Sequence, residues 1–167
     1  MGYHPKMKDE FAADVAAHGG DETIIAILRE MCRVTHMGFA AVARVTEDRW
    51  IAAQVEDRIE FGLHPGDELE IKTTICNDIR KDGRAIVIDH IGADPAWRTH
   101  PVPAIYGFES YASLPLFLAD GSFYGNLCAI DPEPRLLNAV ETIATLQALA
   151  DEVSAILSRK ILGVGVN

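Results

Sequence analysis

The sequence predicts an α+β fold: an antiparallel sheet with the terminal helices on one face, and a short helix plus a long loop roofing a pocket on the other. Three observations carry this. Strand-like runs come in pairs around tight turns, at 39–55 and at 110–131. Helical apolar spacing is concentrated near the two chain ends, with one short stretch at 75–81 between them. A long connection, 90–106, separates the last hairpin from the rest, and connections of that length inside a compact domain tend to be functional.

The elements follow in order. Met7 to His18 reads as a short helix with Phe11 and Val15 on one face, stopped by Gly19 and Gly20. Residues 1–20 form an N-terminal helical extension, 21–162 the main domain and 163–167 a tail. Asp21 is the expected N-cap of a second helix. Ile24, Ile27, Leu28, Met31 and Thr35 fall on one face of it, Gly38 is its expected stop, and Cys32 beside the stripe reads as a buried apolar residue. Phe39–Val45 and Trp50–Val55 form a hairpin around Thr46–Arg49. Residues 56–71 are mixed, with a turn at Pro65-Gly66. Thr73 and Thr74 precede a short helix, Ile75–Lys81, closed by Gly83. Ala85–Asp89 is a short strand. His90–Tyr106 holds Pro95, Pro101 and Pro103 and reads as irregular or broken helix.

In the last hairpin Asp120-Gly121 signals a two-residue turn. That turn places Leu118 opposite Phe123 and Leu114 opposite Leu127. Ala112, Leu114, Leu116 and Leu118 then share an apolar face with Phe123, Gly125, Leu127 and Ala129, small enough at Gly125 and Ala129 for close helix packing. Tyr111, Ser113, Pro115 and Phe117 share a mixed face with Tyr124, Asn126, Cys128 and Ile130. Pro115 belongs at an edge or a bulge. Leu136–Leu162 is the longest helix, with Ala139, Ile143, Leu146, Ala150, Val153 and Leu157 in a stripe widened by Leu149 and Ile156. One flank covers the sheet; the other can meet a partner helix.

Composition bounds the function. The chain has 167 residues, 49% apolar and 24% charged, enough for one domain with a real core. A net charge of −10 with scattered Lys and Arg argues against a nucleic-acid partner. No run reaches the roughly 18–20 apolar residues of a membrane span, and the N-terminus lacks the apolar segment of a secretory signal, so a cytoplasmic protein with no membrane partner is expected. Cys32, Cys76 and Cys128 are widely spaced and form no CxxC pair, which excludes a disulfide framework and the commonest zinc motif.

The stretches TTICNDIRKDGRAIVIDH (73–90) and YGFESYASLPLFLADGSFYGNLCAIDPEPR (106–135) resemble the GAF-domain family. So does the element order, across roughly Asp21 to Ser158. The closest resemblance is to the GAF modules of bacterial sensor histidine kinases and related signalling proteins. The resemblance implies the fold but no ligand, because the family takes cyclic nucleotides, bilins, haem, small metabolites or nothing. Bilin-binding members carry a cysteine in the loop that reads DPAWRTHPVPAIYGF here, and this loop has His100 instead. The phosphodiesterase-type cyclic-nucleotide motif pairs Asn-Lys with Asp-Glu; here Asp151-Glu152 occurs without Asn-Lys. In free methionine-R-sulfoxide reductases one cysteine falls near Cys76, but a second expected before Ser110 is absent from Trp97–Ser110. No Walker loop, kinase phosphate loop or basic helix-turn-helix is present, so the chain is read as a stand-alone GAF protein or an excised input domain.

The candidate pocket residues are Trp50, Gln54, Thr74, Cys76, His90, Trp97, His100, Tyr106, Tyr111, Ser113, Asn126 and Cys128. The aromatic members can close over a flat ligand. His90 and His100, with Asp94, are weighed as an N/O metal or haem set, against histidines bonded to loop backbone. Asp89 and Asp94 suit turn capping better than acid–base chemistry. Cys76, at a helix start, suits redox sensing or plain burial. The expected function is a non-catalytic sensory module that binds an unknown small molecule and relays a signal through its terminal helices, as a homodimer. The alternatives are a ligand-free dimerisation or relay module, and a thiol reductase or redox sensor using Cys76 and Cys128. The sequence names no cofactor.

Overall fold

A computed structural model describes residues 9–70, 83–99 and 101–163. Helix α1 (Glu10–Gly19) opens on Asp9, whose carboxylate accepts the Ala12 N–H at 2.9 Å. Helix α2 (Glu22–Thr35) opens on Asp21, which accepts the Thr23 N–H at 2.8 Å. It ends two residues sooner than the glycine predicts: His36 is the C-cap, in the left-handed region at φ 60°. Gly38 serves close packing instead, since a Cβ there would overlap the Ile59 side chain. Strands β1 (Phe39–Val45), β2 (Trp50–Asp57) and β3 (Glu68–Leu69) follow. Then come β4 (Ile86–Ile88), a 3₁₀ turn (Ile91–Ala93), α3 (Pro101–Tyr106), β5 (Ser110–Phe117), β6 (Phe123–Asp131) and α4 (Val140–Leu162). The predicted helix at 75–81 lies outside the described residues. Helix α4 begins at Val140 rather than Leu136, because 136–139 is tied to β4. The Asp89 carboxylate accepts the Leu137 N–H (2.9 Å), the Asn138 N–H (3.1 Å) and the Asn138 side-chain amide (2.9 Å).

The six strands form one antiparallel sheet in the order β3-β2-β1-β6-β5-β4. Helices α1, α2 and α4 all pack on one face, over Ala40, Val42, Ile51, Leu114, Leu127 and Ala129. Phe39, Ala41, Ala43, Trp50, Ala52, Tyr111 and Cys128 point to the other, which Phe61, Leu63, Ile91, Tyr106 and Phe108 cover. The predicted α+β layering is therefore present, with the terminal helices together on one side. Two charged side chains close the frame. Asp131, 3% exposed, accepts from the Gly38 N–H (2.8 Å), the Glu133 N–H (2.9 Å) and Arg135 Nη2 (3.1 Å), joining β6 to the α2–β1 link. Arg49 bridges Asp9 (3.0 Å) and Glu68 (2.6 Å), joining α1 to the β2–β3 edge.

The β5–β6 hairpin corrects the two-residue turn. Leu118 N–H bonds the Ser122 carbonyl at 2.9 Å, leaving a three-residue loop with Gly121 at φ 86°. Phe117 therefore pairs with Phe123, and a bulge follows at Tyr124 before Leu116 meets Gly125 and Leu114 meets Leu127. The bulge exchanges two side chains between faces: Phe123 joins the second face, and Tyr124 enters the helix-side core at 2% exposure. Gly125 is small for a different reason from the one predicted. A Cβ there would overlap the Ala43 backbone carbonyl of β1, so strand–strand approach, not helix packing, requires glycine. Pro115 lies beyond the reach of β4, which covers only Tyr111–Ser113 of β5, so its missing N–H costs no ladder bond on that side.

Two outcomes follow. Gly125→Ala forces β6 away from β1 and lowers unfolding free energy by about 3 kcal/mol, measured by denaturant titration. Burial pushes the Tyr124 phenol up to about 12, with Arg44 acting weakly in the opposite sense. A raised folded-state pKa leaves stability intact below the unfolded value near 10 and removes it as pH rises to 12. The expected loss across that window is about 3 kcal/mol, flattened in Tyr124→Phe; equal alkaline profiles for the two proteins contradict it.

Candidate functional site

The second face of the sheet has a floor of small side chains. Ala41 and Ala43 of β1, Ala52 of β2, Ser113 of β5 and Cys128 of β6 all lie there, each at most 4% exposed. Larger rings stand around them. Phe61 packs on Phe39 at 5.1 Å and on Tyr106 at 5.8 Å between ring centroids, and Phe108 stacks on Tyr111 at 5.7 Å. A single carboxylate shapes the segment that delivers Phe61. Asp57 accepts the N–H groups of Ile59 (3.2 Å), Phe61 (3.1 Å) and Gly62 (2.8 Å), winding the chain back over the sheet through Glu60 at φ 56°.

Three uncharged polar side chains are buried on this face. Asn126, fully buried, donates from Nδ2 to Ser113 Oγ at 2.7 Å, and Ser113 is itself fully buried. Among the described residues Asn126 Oδ1 accepts nothing, and the Nε1 proton of Trp50, a residue 3% exposed, finds no acceptor. An unmet buried donor or acceptor costs roughly 1–3 kcal/mol. Here one of each lies on the same face, two strands apart: Asn126 pairs with Ala43, Ala43 with Ala52, and Trp50 with Val45, two positions further along.

Trp50, Tyr106, Tyr111, Ser113, Asn126 and Cys128 therefore share this face, and Trp97 packs half-buried against its rim. Two of the other predicted residues are elsewhere. Gln54 lies on the helix side: its Nε2 donates to the Gly19 carbonyl at 3.1 Å, because the bulge between Val42 and Ala43 turns it toward α1. His90 is at the surface, 3.7 Å from Glu109. Thr74, Cys76 and His100 lie outside the described residues. Among the described residues no three His, Cys, Asp or Glu side chains cluster for a metal. Asp89 caps the approach to α4, and Asp94 accepts the Ala96 N–H at 2.9 Å. Sequence reasoning missed Phe61, Leu63 and Phe108. Their only sequence signal is that large apolar residues sit within otherwise polar connections. Cys32 and Cys128 lie on opposite faces of the sheet, and burial pushes the Cys32 thiol up to about 11, so it is not a thiolate at neutral pH. No helix among the described residues is long and apolar enough to cross a membrane.

A central antiparallel sheet, helices gathered on one face and an aromatic-rimmed floor on the other define an α+β module of the kind found in signalling proteins. The GAF-domain sequence profile matches residues 20–157, and the chain belongs to the GAF-domain family, a sensory and regulatory fold that commonly binds small molecules. Solved structures agree on the fold. A GAF region of a putative membrane protein from Geobacter sulfurreducens PCA superposes with TM-score 0.65 at 13% identity, over 89% of this chain and 98% of that one. The GAF domain of a two-component sensor histidine kinase from Bacillus halodurans gives 0.64 at 13% identity, over 85% and 96%. A type II free methionine-R-sulfoxide reductase from Thermoplasma acidophilum gives 0.63 at 10% identity, over 86% and 95%. No curated protein matches the chain significantly.

The Asn126–Ser113 pair is expected to cost the unliganded protein more than it contributes. The double variant Ser113→Ala, Asn126→Leu removes a buried unmet acceptor, so its unfolding free energy should equal or exceed the parent's by about 1 kcal/mol. A loss of about 2 kcal/mol or more in denaturant titration assigns the pair to holding the fold.

Proposed function

We propose that this GAF domain is a non-catalytic sensory module that binds a small, neutral, largely planar molecule on the second face of its sheet. The observation that supports it is the pairing of two buried, unmet polar atoms, Trp50 Nε1 and Asn126 Oδ1, on one floor of small side chains. A ligand presenting an acceptor to the indole and a donor to the amide satisfies both, and its rings meet Phe61 and Tyr106. Because the floor's polar groups carry no charge, a neutral ligand avoids the desolvation that an ion would suffer there. Trp97 and the 90–106 connection order around the ligand in this reading. The response passes through β6, whose Asn126 and Leu127 face the ligand side and the helix core in succession, to α4.

Native mass spectrometry of freshly purified protein, with an absorption spectrum, reads a captured ligand directly. Titrations with neutral heterocycles followed by tryptophan emission supply the affinity. Asn126→Leu is expected to weaken binding at least tenfold while the circular dichroism spectrum is kept. A bare mass together with no response to any neutral heterocycle would overturn the proposal.

A specific observation favours a second role alongside this one. Leu136, Val140 and Ile143 are 93%, 81% and 36% exposed at the start of α4, an apolar strip suited to the same strip on a second copy. In this reading the terminal helices form a homodimer. Sedimentation at tens of micromolar should then give a dimer that Val140→Glu converts to monomer; a monomeric parent rules it out.

A further inference from the structure

On the helix side, a separate cavity of about 280 Å³ opens between α1, the end of α4 and the β5–β6 turn. Its polar groups are Arg44 of β1, Tyr124 and Ser122 of the hairpin, and Asp14 and His18 of α1; Phe11, Val15, Leu118 and Ile161 supply apolar wall. Arg44 is held rigidly. Its Nη1 donates to the carbonyls of Val45 (3.3 Å), Phe123 (3.2 Å) and Tyr124, and its guanidinium carbon lies 5.2 Å from the centre of the Tyr124 ring. That leaves Nε and Nη2 with no acceptor, and Arg44 with no carboxylate partner, among the described residues. Partial burial lowers its pKa below the ordinary arginine value, with Tyr124 acting in the opposite sense. The second observation is independent of Arg44. Tyr124, 2% exposed, lines the same cavity, and its buried hydroxyl has no hydrogen-bond partner among the described residues.

We propose that this cavity is a second small-molecule site, which takes a monocarboxylate with a compact apolar body. A carboxylate matches the fork of Nε and Nη2 with two parallel charge-assisted hydrogen bonds. The body fills the apolar wall, bridging α1 to Leu118 of the hairpin and Ile161 of α4. The Asp14 carboxylate on the exposed rim disfavours a second negative charge, which separates this ligand class from phosphates and dicarboxylates. The site is distinct from the proposed neutral-ligand face, from which the sheet itself divides it. Its occupant ties together the two terminal helices that carry any output.

The test titrates the intact chain with benzoate and with its neutral isostere benzamide, followed by two-dimensional NMR. Expected are saturable shifts at Phe11, Val15, Leu118 and Ile161 with benzoate, at least about tenfold weaker binding of benzamide, and a similar loss in Arg44→Gln. Arg44→Lys, which keeps the charge without the fork, falls between them. The largest shifts should fall at those four residues and not at Trp50 or Asn126, so the fate of this site is read separately from that of the other face. Equal affinity for benzoate and benzamide, shifts confined to the second face, or no shifts at about 10 mM benzoate would each overturn the proposal. The comparison of the two ligands on the unaltered protein decides the matter even if Arg44→Gln does not fold.

Discussion

The close approach of β6 to β1 at Gly125 governs which side chains of β6 lie on each face of the sheet. The Gly125 Cα faces the Ala43 carbonyl with no room for a Cβ, and Arg44 gathers the carbonyls of Phe123 and Tyr124 just before it. Together they fix a bulge of one residue. The three-residue turn alone would set Leu114 opposite Asn126 and swing every later side chain of β6 to the wrong face. The bulge absorbs that one-residue offset, so Leu127 and Ala129 return to the helix core, and Asn126 and Cys128 to the opposite face. It leaves Tyr124 beneath the helices with an unmet hydroxyl and Asn126 on the other side with an unmet carbonyl.

Most of the fold was legible because its signals are periodic. Phe39–Val45 alternates between two buried faces, the α2 stripe holds to a 3.6-residue period, and the Asp21 cap reads directly as a helix start. Two of the failures are places where one residue breaks the period. An Asp-Gly pair is compatible with two turn lengths, and both place Gly121 at a positive φ, so the glycine does not choose between them. The bulge in β1–β2 moved Gln54 to α1 in the same way. The site was half legible. Trp50, Tyr111, Ser113 and Asn126 lie on regular strands, so alternation assigns their face. Phe61 arrives on an Asx-anchored loop whose course depends on Asp57 and has no periodicity to read. His90 lies at a strand end, where nothing in the sequence says which way the chain turns.

The polar groups of the domain divide into two kinds, and the division is informative. Asp57, Asp89 and Asp131 each accept several hydrogen bonds from backbone amides at chain reversals, and they serve as fixed joints between elements. Trp50, Asn126 and Tyr124 are as deeply placed but lack a partner for one atom each, within otherwise apolar layers. A native core normally meets its buried donors and acceptors. Under the proposed reading, these unmet atoms are contacts held in reserve for a ligand.

The two layers share strands, and this sets how they can influence each other. Along β6, Tyr124 lies under the helices, Asn126 on the far face and Leu127 under the helices again. A ligand that draws Asn126 toward it displaces the same peptide units that seat Leu127 against the helix-side core and Tyr124 against Arg44. Close packing makes such a layer respond by discrete rearrangement rather than by smooth deformation. Any coupling is reciprocal: an occupant beside Arg44 that stiffens the bulge alters affinity on the opposite face by the same factor as the reverse. Only a ligand with different affinities for two arrangements of β6 can transmit anything.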